Sequence, residues 1–161
     1  MNVLDFAMKV ELQGKAYYEN MAASAGMPGL KTIFTELAAD EQKHYDTLRR
    51  LKEGETWGMA DSRATEQARD VFSELLRDRN LPAELQEALD AYRLALKVEA
   101  QSVKMYEEMA KKEEDPVIVQ LFLRIANEEK KHYNVVENIC DFVKRPKYYL
   151  AWREFSNLDE L

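Results

Sequence analysis

Six polar side chains in this sequence sit where an apolar helical stripe is expected. Glu11 falls in the series Leu4, Glu11, Tyr18, Ala25, and Glu99 lies between Leu96 and Tyr106 in a similar series. Glu41 and His44 continue the stripe from Leu37 to Leu48, while Glu129 and His132 continue the one from Ile125 to Val136. All six are therefore expected to face a helical core. A buried carboxylate without a partner costs several kcal/mol even after relaxation, so four of them together require cations.

The spacing selects the kind of cation. Residues i and i+3 lie about 60° apart around a helix and about 4.5 Å along it, so Glu41 with His44, and Glu129 with His132, can each reach one metal ion. These are the only two histidines in the chain. Four carboxylates balance two divalent ions, so a dinuclear site built from Glu11, Glu41, His44, Glu99, Glu129 and His132 is neutral. The single cysteine, Cys140, rules out a Cys-x-x-Cys thiolate site and is expected to be buried and inert. Oxygen-rich ligation with imidazole suits iron, with manganese as the alternative, better than zinc. Asp40 and Glu128, one residue before Glu41 and Glu129, admit two readings, orienting the histidine N–H groups or lying on a solvated helix face. The methionines, Met21 and Met109 among them, read as core filler.

The elements that hold these residues are duplicated. At an offset of 88 residues, Ala7 to Tyr45 overlays Ala95 to Tyr133 with sixteen identities, against about two or three expected by chance. Glu11, Tyr18, Glu41 and His44 are paired in this way with Glu99, Tyr106, Glu129 and His132, so a pseudo-two-fold axis is expected. Each unit reads as two helices. Pro28, Pro82 and Pro116 stand where helices begin, with Asp115 as a cap before the last. Gly26 and Gly29 mark a turn, Gly54 ends the second helix, and Pro146 ends the fourth bundle helix.

The expected organisation is a single domain: a helix pair over 1–53, a crossover over 54–81 that is partly helical at 64–76, a second pair over 82–145, and a tail over 146–161. Short turns make each pair antiparallel. The long crossover is expected to start the third bundle helix at the end where the first began, giving an up-down, crossover, up-down four-helix bundle. The tail residues Tyr148, Tyr149, Leu150, Trp152 and Phe155 are aromatic enough that they must dock, on their own bundle or on another subunit.

Composition narrows the class further. Only 5 glycines and 4 prolines in 161 residues favour long helices over an all-β fold. A net charge of −7 gives no basic footprint for nucleic acid or an anionic membrane. Met1 to Leu12 lacks both a basic flank and a long apolar run, so no signal peptide or anchor is expected and a cytoplasmic location follows.

One Glu from each of two helices, plus Glu-x-x-His from each of two others, resembles the ferritin-like diiron-carboxylate superfamily and within it the rubrerythrin branch, from Val3 to about Val143. The resemblance implies an all-α, ferritin-like four-helix bundle with two iron ions. It implies bridging roles for Glu41 and Glu129, terminal carboxylates at Glu11 and Glu99, terminal imidazoles at His44 and His132, and catalytic support from Tyr18 and Tyr106. It further implies reduction of hydrogen peroxide, or dioxygen, in a homodimer. Two departures qualify it. Rubrerythrins typically carry a further Glu three residues beyond the third-helix Glu, where this chain has Ser102, which weakens the iron-shuttling peroxidase mechanism. No rubredoxin-like Cys-x-x-Cys pairs occur, so electrons would come from an external donor such as a rubredoxin. The rival readings are a ferroxidase or iron-handling protein, and a non-enzymatic bundle with an empty site.

Overall fold

The computed structural model describes residues 2–78, 88–145 and 149. They form α1 (Val3–Ser24), α2 (Pro28–Lys52), α3 (Ala64–Asp78), α4 (Leu89–Lys112) and α5 (Pro116–Lys144), with no strand among the described residues. None of these helices is long and apolar enough to cross a membrane.

Local chemistry sets the helix ends. The Asn2 side chain accepts the Asp5 N–H at 2.8 Å, and Asp115 Oδ1 accepts the Val117 N–H at 2.9 Å, each satisfying a donor that the first turn leaves free. Pro28 and Pro116 occupy the first helical positions, as expected. At the end of α2, Gly54 takes φ 84°, its N–H reaches Leu51 O at 3.1 Å, and the Glu55 N–H reaches Arg50 O at 3.0 Å. This paired closure needs a left-handed residue, which glycine supplies without a Cβ clash. Gly29 departs from expectation, because it lies inside α2 rather than in the turn. A Cβ there would come within 2.6 Å of Val71 Cγ1, so its role is the close approach of α3. Pro82, Pro146 and the tail residues other than Tyr149 lie outside the described residues.

α1 packs on α2 and α4 on α5, while α3 lies across α2 and α5. The apolar core divides into two clusters, one toward each end of the bundle. Tyr18, Phe34, Tyr92, Phe72 and Phe142 belong to the first; Leu4, Leu48, Tyr106, Phe122 and Ile125 belong to the second. α3 contributes Ala64, Ala68, Val71 and Phe72, one helical face, to the first cluster. Tyr149 is buried on Phe72 and Phe142, and its hydroxyl meets Asn138 Oδ1 at 2.7 Å. This part of the tail docks on its own bundle. Cys140 is buried, and burial pushes its thiol up to about 11, in keeping with an inert core residue.

The direction of α4 corrects the expected topology. The Tyr17 hydroxyl near the end of α1 donates to Ala91 O at the start of α4 at 2.9 Å, so α4 begins where α1 finishes. The order is up-down-down-up. The physical reason is that α2 already returns to the start of α1, as the ion pair between Lys52 and Asp5 records. A crossover that spans the bundle must therefore carry the chain to the opposite end. Its course agrees: Trp57 and Met59 pack on the second cluster, Ser62 lies at mid-bundle, and Phe72 reaches the first cluster.

Candidate metal centre

Between the two apolar clusters lies a polar layer to which all four bundle helices contribute. α1 supplies Glu11, α2 Glu41 and His44, α4 Glu99, and α5 Glu129 and His132, all buried as their stripe positions require. His44 Nδ1 lies 3.3 Å from Glu11 Oε2 and 3.2 Å from Glu129 Oε1. His132 Nδ1 lies 3.1 Å from Glu41 Oε1, 3.4 Å from Glu129 Oε2 and 3.6 Å from Glu99 Oε1. Two groups result, Glu11–Glu41–His44–Glu129 and Glu41–Glu99–Glu129–His132. Within each, one ligand atom per residue lies within 4.8 Å of the others. Glu41 and Glu129 belong to both.

The opposite edge of each imidazole is held from across the bundle. His44 Nε2 lies 2.7 Å from Glu128 Oε1 of α5, and His132 Nε2 lies 2.8 Å from Asp40 Oδ2 of α2. An Nε2–H donated to a carboxylate leaves Nδ1 as the atom turned toward the glutamates, the arrangement that prepares an imidazole to ligate. The tyrosines are exchanged in the same way. The Tyr18 hydroxyl donates to Glu99 Oε1, and the Tyr106 hydroxyl donates to Glu11 Oε1 at 2.5 Å. Burial and the neighbouring carboxylates hold both phenols well above their ordinary value, so both remain donors.

The charges in this layer are incompletely answered by protein groups. Glu41 Oε1, Glu99 Oε2, Glu129 Oε1 and His132 Nδ1 are buried without a hydrogen-bond partner among the described residues. Native proteins seldom leave four such atoms together. All four belong to the two groups, so the donor set fits a pair of cations with mixed carboxylate and imidazole ligation.

Without a cation the groups share protons instead. Burial lifts Glu41 well above the usual carboxylate range, with repulsion from Glu11 and Glu129 added. Glu99 is lifted by burial and by Glu129. Burial alone would raise Glu129 too, but the close approach of Glu99, His132 and His44 holds it well below the usual range. Burial alone would lower both histidines. It is outweighed at His44 by Glu11, Glu128 and Glu129, and at His132 by Asp40, Glu129, Glu41 and Glu99, so both stand well above their ordinary value.

A cavity of about 460 Å³ opens between α1 and α4, with Glu41, Glu99 and Tyr18 at its inner wall. Its sides carry pseudo-symmetric pairs, Val10 with Val98, Gln13 with Gln101, and Gly14 with Ser102. A Cβ at Gly14 would stand 2.9 Å from Glu41 Oε2, so glycine there lets the carboxylate lie against α1.

The structure brings together every residue that the sequence marked for the site, and of the two readings open for Asp40 and Glu128 it has both buried against the histidines rather than on a solvated face. Sequence reasoning missed the crossover's share. Lys43 Nζ bridges Asp40 Oδ1 at 3.5 Å, Glu128 Oε1 at 3.3 Å and Ala60 O at 2.8 Å. Arg124 reaches Met59 O at 3.1 Å and Asp61 Oδ1 at 2.6 Å, and the Ser62 hydroxyl donates to Asp40. No periodic signal marks these contacts, because the crossover partners are not helical.

Among known proteins, the family model described as Rubrerythrin matches residues 2–140 of the chain. No curated protein and no solved structure matches it.

Proposed function

Because the chain belongs to the rubrerythrin family, we propose that it is a non-haem diiron oxidoreductase that reduces hydrogen peroxide, or dioxygen, with electrons from a separate donor such as a rubredoxin. The observation that carries this reading is the pair of four-residue groups sharing Glu41 and Glu129. In it, Glu41 and Glu129, common to both groups, would hold both ions. Glu11 with His44 would complete one position, and Glu99 with His132 the other, each imidazole offering the Nδ1 that faces the glutamates. A ferrous pair held there would supply the two electrons that, with two protons, reduce one peroxide to two waters.

The remaining work falls to the protein. Asp40 and Glu128 fix the imidazole edges and stabilise positive charge on them. Tyr18 and Tyr106 hold Glu99 and Glu11 by their hydroxyl protons, which keeps both carboxylates oriented while the charge at the site changes. The cavity between α1 and α4 leads a small oxidant to Glu41 and Glu99, and the apolar clusters on either side keep bulk water from the layer.

The test is stopped-flow oxidation of the anaerobically iron-loaded protein by peroxide and, separately, by dioxygen. Faster oxidation by peroxide, at two electrons per chain, is the expected result. Oxidation by dioxygen at least as fast, with iron accumulating beyond two per chain, would replace this reading by a ferroxidase.

A further inference from the structure

The crossover touches both imidazole supports through one residue. Ser62, partly buried just before α3, donates its hydroxyl to Asp40 Oδ2 and its backbone N–H to Glu128 Oε2 at 3.2 Å. Asp40 Oδ2 is the same atom that meets His132 Nε2, at 2.8 Å, whereas Glu128 meets His44 with its other oxygen, Oε1, at 2.7 Å. Asp40 and Glu128 hold equivalent places in the two repeats, 88 residues apart. Their donors are not equivalent. Asp40 depends on a side-chain hydroxyl, while Glu128 receives a main-chain N–H that any substitution except proline retains, and it also has Arg124 Nη2 at 3.8 Å. Lys43 lies near both carboxylates, at 3.5 and 3.3 Å, and so does not distinguish them.

We propose that Ser62 is a positioning residue that sets the orientation of His132 through Asp40, so that the crossover makes the two metal positions inequivalent. An exact duplication would give the two histidines the same surroundings, and here the supports differ both as Asp and Glu and in the donors they receive. The single crossover passes over one side of it and presents two different donors to paired carboxylates. Removing the Ser62 hydroxyl would release Asp40 Oδ2 from the crossover, leave it holding His132 alone, loosen the His132 ring and spare His44. The effect on the imidazole stands on these contacts alone. The effect on metal rests on the dinuclear reading proposed above.

The Ser62 hydroxyl also accepts the Ala64 N–H at 3.1 Å, so Ser62→Ala loosens the start of α3 as well, and melting temperature alone cannot separate the two roles. The decisive measurement is NMR of the imidazole N–H groups in the metal-free full-length protein, where two histidines give two sets of signals. In Ser62→Ala the His132 Nε2–H should exchange faster with solvent while that of His44 keeps its protection, and Ser62→Thr, which retains a hydroxyl, should restore the wild-type pattern. Protection unchanged at both rings, or lost equally at both, would overturn the proposal.

Anaerobic titration with cobalt(II) supplies the second readout. Ser62→Ala should weaken one of two binding steps by roughly 10–100-fold and leave the other as in the wild type. In a His132→Ala background the substitution should change nothing further. Equal weakening of both steps would count against the proposal. Fewer than two ions bound by the wild type would instead refute the dinuclear reading, while the NMR comparison would still decide the role of Ser62.

Discussion

Metal-free protein should lose stability steadily as pH rises from mildly acidic to neutral, and metal should abolish most of that loss. Burial lifts Glu41 and Glu99, and the surrounding carboxylates lift His44 and His132 against the opposing effect of burial. A group raised in the folded state contributes stability that is fully present below its unfolded pKa and is lost as pH climbs through the folded one. The loss therefore begins near about pH 4.3 for the glutamates and near about pH 6.5 for the histidines. Burial would also raise Asp40, Glu128 and Glu129, but the histidine partners of the first two, and Glu99 followed by both histidines for Glu129, draw them below the usual range, so they contribute stability that is lost only as pH falls through their folded values. Maximum stability without metal thus falls on the mildly acidic side of neutrality.

The magnitude follows from counting protons. Each proton that the folded cluster keeps and the unfolded chain has released removes about 1.4 kcal/mol per pH unit. Two such protons remove about 3 kcal/mol per unit, a large share of a typical total of about 5–15 kcal/mol. For a domain of this size that lowers the melting temperature by about 6–12 °C per pH unit. Metal ligation requires the carboxylates deprotonated and the imidazole Nδ1 atoms free, so the bound ions take the place of these protons. The assay is thermal melting of metal-free and reconstituted protein from about pH 5 to about pH 8, with calorimetric titration in buffers of different ionisation enthalpy to count the protons released. A metal-free melting temperature that is flat or rises over this range, or metal binding without proton release, would refute the reasoning.

Three further outcomes are expected. Glu41→Ala or Glu129→Ala should lower the occupancy of both metal positions together by elemental analysis; loss of one ion alone would remove the bridging assignment. Tyr18→Phe removes the hydroxyl donor of Glu99 Oε1 while Oε2 has no hydrogen-bond partner among the described residues, so the metal-free protein should lose about 1–3 kcal/mol and about 2–12 °C, and an unchanged melt would show that the bond carries nothing. Light scattering should give the mass of a homodimer. A mass near one chain would refute that expectation, and a mass of many chains would favour iron storage.

What the sequence disclosed was whatever repeats with a period. Glu11, Glu41, His44, Glu99, Glu129 and His132 break apolar stripes at helical spacing, and burial of all six follows from the stripes themselves. Gly54 was legible as a helix end because the closing turn needs a left-handed residue. Gly29 was misread because glycine serves turns and close packing alike, and only the position of Val71 distinguishes them. Ser62, Lys43 and Arg124 carry no periodic mark; their contacts depend on where a non-helical segment crosses the bundle, which local sequence does not determine.

The direction of α4, misjudged from the length of the crossover, was nevertheless encoded in the tyrosines. Each follows its glutamate by seven residues, two turns along one helix face. Reciprocal contacts, Tyr18 with Glu99 and Tyr106 with Glu11, are satisfied together only when the helices run in opposite directions, because a step forward on one must meet an equal step backward on the other. In parallel helices the same spacing would set both tyrosines at one level, two turns or about 10 Å from the glutamates they reach here. A buried carboxylate needs a donor and a buried phenol needs an acceptor, so the antiparallel arrangement satisfies four buried groups where the parallel one leaves them to find other partners. That requirement also turns the pseudo-two-fold axis across the bundle rather than along it. Glu41 and Glu129 are then exchanged by the axis, which accounts for their membership of both four-residue groups.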